Sequence, residues 1–264
     1  MDDVSQADRE LEWSEYARTA YFATVMPDVE VLISSEVILI TDPQVPMVEG
    51  NHAAMLRTTP DRADALIERI IQHYQERGLT PYVAISSNCS PDDFAQRLLA
   101  HGFKQHAEPE QWLTLKDAWY VEGLRGPDPI AVCEIGQDGL VDFCQVMVTA
   151  FDLPPAAAPL LTRNFGCIND LPGVHNYVAY LDDKPIGCMS LFSYMGYSVV
   201  GSAGVLPGLR HTGAAVSLIV RCYQDYKKSG SKVLAFQTML PKLARMFRIG
   251  GCKHIFTRTY YVLP

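Results

Sequence analysis

Val205-Leu-Pro-Gly-Leu-Arg210-His-Thr-Gly213-Ala-Ala215-Val-Ser-Leu-Ile219 is the stretch from which the rest of the chain is read. Upstream, Tyr197-Ser-Val-Val-Gly-Ser-Ala-Gly-Val205 reads as a strand that ends at Pro207. Downstream, Ala215, Leu218, Ile219 and Cys222 recur at helical spacing, which predicts a helix from Gly213 to Lys228. A strand, a short loop with a cation and a glycine, and then a helix make a place for an anion. The N–H groups of a helix's first turn lack internal acceptors and lie at the positive end of its dipole. Gly213 lets a ligand approach the backbone, Ala214 and Ala215 keep the approach open, and Arg210 adds charge-assisted hydrogen bonds. The turn therefore suits a phosphate or diphosphate. The plain alternative is a strand-to-helix turn that binds nothing.

Two common phosphate motifs are absent. No GxxxxGK[ST] occurs, and no GxGxxG follows the first strand, which disfavours a P-loop hydrolase and a nicotinamide site. Working outward, strands are expected at Ile130–Ile135, Asn176–Leu181, Ile186–Phe192, Lys232–Gln237 and His254–Val262. Helices are expected at Leu140–Phe151, Ala156–Phe165 and Pro241–Ile249. In the first half, Val29–Thr41 reads as β structure, Thr59–Arg77 and Pro91–Ala100 as helices, and Pro81–Ser86 as a buried strand.

The two halves rhyme. Tyr74-Gln-Glu-Arg-Gly78 before one strand matches Tyr226-Lys-Lys-Ser-Gly230 before another. His101-Gly102-Phe103-Lys104 then matches Gly250-Gly251-Cys252-Lys253. This predicts a tandem duplication of one α/β unit, with a joint at the Gly/Pro-rich Glu122-Gly-Leu-Arg-Gly-Pro-Asp-Pro129 and domains at 1–122 and 123–264. In this register Gly213 corresponds to Asp61 and Arg210 to Thr58. A carboxylate at a helix start caps the amides itself and repels phosphate, so the first copy is expected to bind no such ligand.

The 264 residues are 48% hydrophobic and 20% charged, which excludes fibrous and disordered classes and allows two modest domains. Acidic residues outnumber basic ones more than two to one in 1–122, whereas basic residues prevail in 123–264. The net charge of −8 argues against nonspecific nucleic-acid binding. The seven cysteines include no CxxC and read as buried reduced thiols rather than disulfides or metal ligands. No apolar run is long enough for a membrane span, and the acidic start MDDVSQADRELEW has no signal-peptide pattern, so a cytoplasmic location is expected.

Arg210-x-x-Gly213-x-Ala215, preceded by Val205-x-Pro207 and a strand, resembles the acyl-CoA signature of the GNAT acyltransferase superfamily. The resemblance covers about residues 130–264, and the first half is similar to a degenerate second copy. It implies an α/β (α+β) chain of two tandem domains, each a mixed, mostly antiparallel sheet flanked by helices. It also implies acetyl-CoA or a longer acyl-CoA as co-substrate, an amine-bearing small molecule or peptide as acceptor, and N-acyl transfer without a covalent enzyme intermediate. Cofactor contacts are expected from Ala203, Val205, Pro207, Arg210, His211, Thr212, Gly213, Ala214, Ala215, Gln237, Arg245 and Phe247. The Val205 N–H is expected to hold the oxyanion, Ser202 to bind a relaying water, and Tyr260 or Tyr261 to line the cleft.

Two departures stand out. Many members place a carboxylate on the strand before the loop, but Tyr197–Val205 has none, and no Glu occurs after Glu134. Many also carry a tyrosine acid in the last helix, a place that Phe247 holds here. The general acid and base are thus unassigned, and two alternatives stay open: a CoA-binding protein without catalysis, and acyl-CoA chemistry of another kind, such as O-acylation or decarboxylation. The Phe151–Ile168 region, with Asp152 and Asp170, is expected to face the acceptor. Monomer and homodimer are both compatible with a tandem chain.

Overall fold

A computed structural model describes residues 2–45, 47–115, 121 and 123–264, with side chains from residue 6 onward. The chain forms two compact units. The first contains Met1–Leu113, Thr238–Gly250 and His254–Pro264, and the second contains Thr114–Gln237 and Gly251–Lys253. These limits differ from the expected 1–122 and 123–264, because the last helix and most of the last strand return to the first unit. Residues 116–120 and 122 of the expected joint lie outside the described residues.

In the first unit the elements are α1 (Asp2–Ala23), β1 (Glu30–Ile33), β2 (Ile38–Thr41), β3 (His52–Ala54), α2 (Ala63–Gln75), β4 (Tyr82–Ile85), α3 (Phe94–Ala100), β5 (Lys104–Gln105) and β6 (Glu110–Leu115). The second unit has β7 (Ala131–Glu134), α4 (Leu140–Ala150), α5 (Ala157–Ile168), β8 (Val174–Leu181), β9 (Lys184–Tyr194), β10 (Tyr197–Val205), a 3₁₀ turn (Pro207–Thr212), α6 (Ala214–Ser229) and β11 (Val233–Thr238). The chain ends with α7 (Pro241–Ile249) and β12 (Lys253–Val262). Pairing explains why the C-terminus returns: Thr259–Val262 of β12 runs antiparallel to Tyr82–Ile85 of β4 and completes the first unit's sheet.

Both units carry the same device. In the second, β7, β8, β9 and β10 are successively antiparallel, and β10 then pairs in parallel with β11. In the first, β1, β2 and β3 are antiparallel and β3 pairs in parallel with β4. The central parallel contacts, Ala53↔Val83 and Val199↔Ala235, put Val83 and Ala235 equally far along the chain from Tyr74 and Tyr226. Gly78 and Gly230 both follow their helices with positive φ, as do Gly102 and Gly251. The duplication read from the sequence is therefore present in the backbone. Each unit is a mixed, mostly antiparallel sheet with helices.

Val29–Thr41 is a hairpin rather than one run, because the Ser34 hydroxyl accepts the Glu36 and Val37 amides and turns the chain. The first unit's core gathers Leu56, Leu66, Ile67, Ile70, Tyr74, Val83, Phe94 and Leu98. Beside it, Arg258 is 1% exposed and lies over the rings of Tyr16, Trp112 and Phe256 at 5.1, 5.1 and 5.7 Å. Its guanidinium donates to Glu12, Glu15 and Glu110, which satisfies a charge that burial alone would forbid. The second unit's core gathers Leu140, Phe143, Cys144, Val146, Val178 and Cys188. All seven cysteines are free, and five are buried; Cys133, expected inside, is exposed on the short strand β7. Among the described residues no helix is long and apolar enough to cross a membrane, and no cluster suits a metal ion.

Candidate acyl-CoA site

The second unit's sheet opens where β10 and β11 part. Their parallel pairing runs from Tyr197↔Val233 to Val200↔Phe236, while β10 continues to Val205. Just beyond the last pair, β10 bulges: Gly201 faces Ser190 and Gly204 faces Cys188, so Ser202 and Ala203 together oppose Met189. Ser202 takes φ +48 to make this turn, a left-handed conformation uncommon for a side chain with a Cβ. A Cβ on Gly204 would meet Ala150 at 2.8 Å and the half-exposed Phe151 ring at 3.3 Å. The glycine thus leaves room for Ala150 and, beside it, the Phe151 ring, a cause the sequence did not display.

After the bulge the register aims Val205. Leu206 N donates to Ile186 O at 2.9 Å, so the preceding opposed residues, Val205 and Gly187, form a non-hydrogen-bonded pair. The Val205 amide and carbonyl consequently point away from β9, toward the side where β11 has stopped pairing. Arg210 Nε reaches the Val205 carbonyl at 3.4 Å, which folds the exposed guanidinium back over its own loop.

Pro207–Thr212 forms the 3₁₀ turn, and Gly213 caps α6 at φ +86. That φ requires glycine, and so does the space around it: a Cβ there would lie 2.5 Å from Pro127 Cγ. That side of Gly213, expected to face a ligand, is occupied by the proline ring. Val216 N and Ser217 N turn back onto Gly213 O, and Ala214 N reaches Thr212 Oγ1 at 3.4 Å. Ala215 and Val216 are exposed on the first turn.

The second unit thus brings together Ser202, Ala203, Val205, Pro207, Arg210, His211, Thr212, Gly213, Ala214 and Ala215, with Gln237 exposed near the end of β11. Arg245 and Phe247 lie on α7 and Tyr260 on β12, both in the first unit. Tyr260 is moreover 7% exposed in that unit's core, edge-on to His52 and accepting from Arg258 Nη1 at 3.4 Å. Burial pushes its hydroxyl well above the ordinary tyrosine value. A cleft-lining role for Tyr260 is corrected accordingly. Asp170 accepts from Gln137 at 2.9 Å and so serves a local hydrogen bond.

The first unit shows the same opening closed. Met55 takes φ +51 two residues beyond Ala53, and Ser202 takes φ +48 three residues beyond the matching Val199. Ser90 then donates to Leu56 O and accepts from Thr58 N, both at 2.9 Å, so the chain's own backbone fills the gap. The expected carboxylate cap is not made: α2 starts after Arg62 with no side-chain cap, and Asp61 is held below the ordinary carboxylate value by Thr59.

No family model matches the sequence, and no curated protein is similar to it in sequence. Solved structures are similar in fold. A GCN5-related N-acetyltransferase from Kribbella flavida shares 11% identity over 95% of each chain, with a TM-score of 0.68. A functionally unknown conserved protein from Staphylococcus epidermidis shares 13% over 89% of this chain and 94% of that one, also at 0.68. A tandem GNAT protein from the clavulanic acid biosynthesis pathway shares 16% over 86% of this chain and 77% of its own, at 0.59. The architecture of this chain is that of the GNAT acetyltransferases, in tandem form.

Proposed function

We propose that the second unit binds acetyl-CoA or a longer acyl-CoA and that the protein transfers the acyl group to a primary amine of a small molecule or peptide. One observation carries this reading: a single unit holds both an outward-facing Val205 amide, on a strand that has left its partner, and a cationic αL turn at the start of α6. Arg210, His211 and the amides of Gly213–Ala215 would take the diphosphate, while Ala203 and Val205 would take the pantetheine arm. The neutral amine adds to the thioester carbonyl carbon to give a tetrahedral oxyanion, which collapses as the C–S bond breaks. The proton that the attacking nitrogen loses ends on the departing thiolate, which leaves as the thiol. The Val205 N–H offers its hydrogen to the developing oxyanion. An amine near pKa ~10.4 must lose its proton first, for which Ser202 can hold a relaying water. Arg245 and Phe247 remain proposals from the resemblance alone.

A second reading, CoA binding without turnover, is favoured by the lack of any carboxylate on Tyr197–Val205 and by Phe247 on α7. Titration calorimetry with CoA tests the shared premise; Arg210→Ala and Gly213→Glu should each weaken binding at least tenfold, and unchanged affinity in both would overturn it. Thiol release from acyl-CoAs of graded length, with and without amines, separates transfer from binding alone.

A further inference from the structure

Gly126 and Pro127 touch the start of α6 at two places one helical turn apart. A Cβ on Gly126 would lie 2.0 Å from Ser217 Oγ and 2.9 Å from Ser217 Cα, so only a glycine backbone fits against the helix there. The next residue, Pro127, puts its ring against Gly213, where a Cβ would come within 2.5 Å of Cγ and 2.9 Å of Cδ. Ser217 is 7% exposed, and among the described residues its hydroxyl meets no hydrogen-bond partner, so the segment covers a polar atom that it does not satisfy. Such a contact costs stability, and its return must lie elsewhere. Gly213 O accepts from both Val216 N and Ser217 N, so the peptide under Pro127 sets the whole first turn of α6.

The segment is itself anchored. Ile130 N donates to Pro127 O at 3.1 Å, and Ala131–Glu134 follow at once as β7, paired with β8. Arg221 of α6 reaches Glu134 at 3.0 Å, which ties helix and strand a turn further along. A stiff Gly-Pro step is therefore held between β7 and the αL turn.

Resting on the acyl-CoA reading of that turn, we infer that Gly126–Pro127 is a positioning strap for the diphosphate-binding loop. It holds Gly213 left-handed and the amides of Gly213–Ala215 converged before ligand arrives, so that binding does not have to order them. Its residues act through the turn and touch no reacting atom. The strap also explains why position 126 is glycine although no sharp turn requires it.

The test uses the full chain, CoA as probe, and two variants that loosen the strap differently. Gly126→Ala drives it off Ser217, and Pro127→Gly removes the ring from Gly213. Each should weaken CoA binding about tenfold, raise KM for acetyl-CoA with kcat unchanged, and speed amide exchange of residues 209–216 in the ligand-free protein at least fivefold. Gly126→Ala with Ser217→Gly should recover part of the lost affinity, since it removes the Ser217 Oγ and Cβ from the new methyl and leaves only Cα at 2.9 Å. Should Gly126→Ala fail to fold, Pro127→Gly alone decides. Wild-type affinity and exchange in the variants would overturn the strap. If the wild-type protein itself does not bind CoA, the acyl-CoA reading fails, and the exchange rates alone then decide: faster exchange upholds the strap as the holder of the turn, unchanged exchange removes it.

Discussion

The Cys188 thiol donates to the carbonyl oxygen of Ser202 at 3.3 Å, across the bulge from β9. Burial pushes that thiol up to about 12, so it keeps its proton and its role as donor at neutral pH. The bulge is thus held from the facing strand, while Ser202 pays for it with a left-handed backbone at φ +48.

Relief of that strain should be measurable. A left-handed conformation costs an ordinary residue ~1–2 kcal/mol, of which glycine's extra freedom in the unfolded chain takes back a part. Ser202→Gly is expected to raise stability by about 0.5–1 kcal/mol and Ser202→Val to lower it, read by urea unfolding. A loss on Ser202→Gly would mean that the hydroxyl, not the backbone, governs the bulge.

Two buried groups of the first unit should give opposite responses to acid. Burial raises Glu110 from 4.5 to about 7, which makes the folded state bind its proton more tightly; the stability present below pH 4.5 is lost as pH rises toward 7. Burial, with the Arg258 charge, lowers His52 from 6.5 to about 4; the stability present above pH 6.5 is lost as pH falls toward 4. The two trends offset one another between pH 4.5 and 6.5. Glu110→Gln should expose a decline toward acid, and His52→Phe a gain. Unfolding midpoints across a pH series check both, and parallel slopes in the two variants would contradict this account.

Removing the unpartnered hydroxyl of Ser217 should help the fold. Among the described residues the buried oxygen meets no partner in exchange for its hydrogen bonds with water, at a cost of ~1–3 kcal/mol. Ser217→Ala keeps the Cβ against Gly126 and is expected to raise stability by about 1 kcal/mol. A measured loss in thermal unfolding would reveal a partner for that oxygen.

One CoA per chain is the expected stoichiometry. Ser90 occupies Leu56 and Thr58 in the first unit, and Asp61 holds a negative charge near the start of α2. Calorimetry that returned two sites per chain would refute this, and a second site lost on Ser90→Pro would locate it there.

Local pattern was enough for much of the molecule. Tyr197–Val205 and Pro241–Ile249 run as their residue types indicate, since a strand's branching and a helix's periodicity act within a few residues. The matched glycines after α2 and α6 were readable for the same reason: a left-handed stop is a property of one residue. The αL turn before α6 was legible as a strand, a glycine and a helix in succession. Long-range packing settled everything else. Tyr260 was a plausible cleft residue until β12 paired with β4 and put its ring inside the first unit. Gly213 looked open until Pro127, far away in sequence, came to lie against it. Val205 acquired its direction from a bulge registered on β9. Periodicity says which face of an element will be buried; which distant residue does the burying depends on how the sheets close, and no window of sequence contains that.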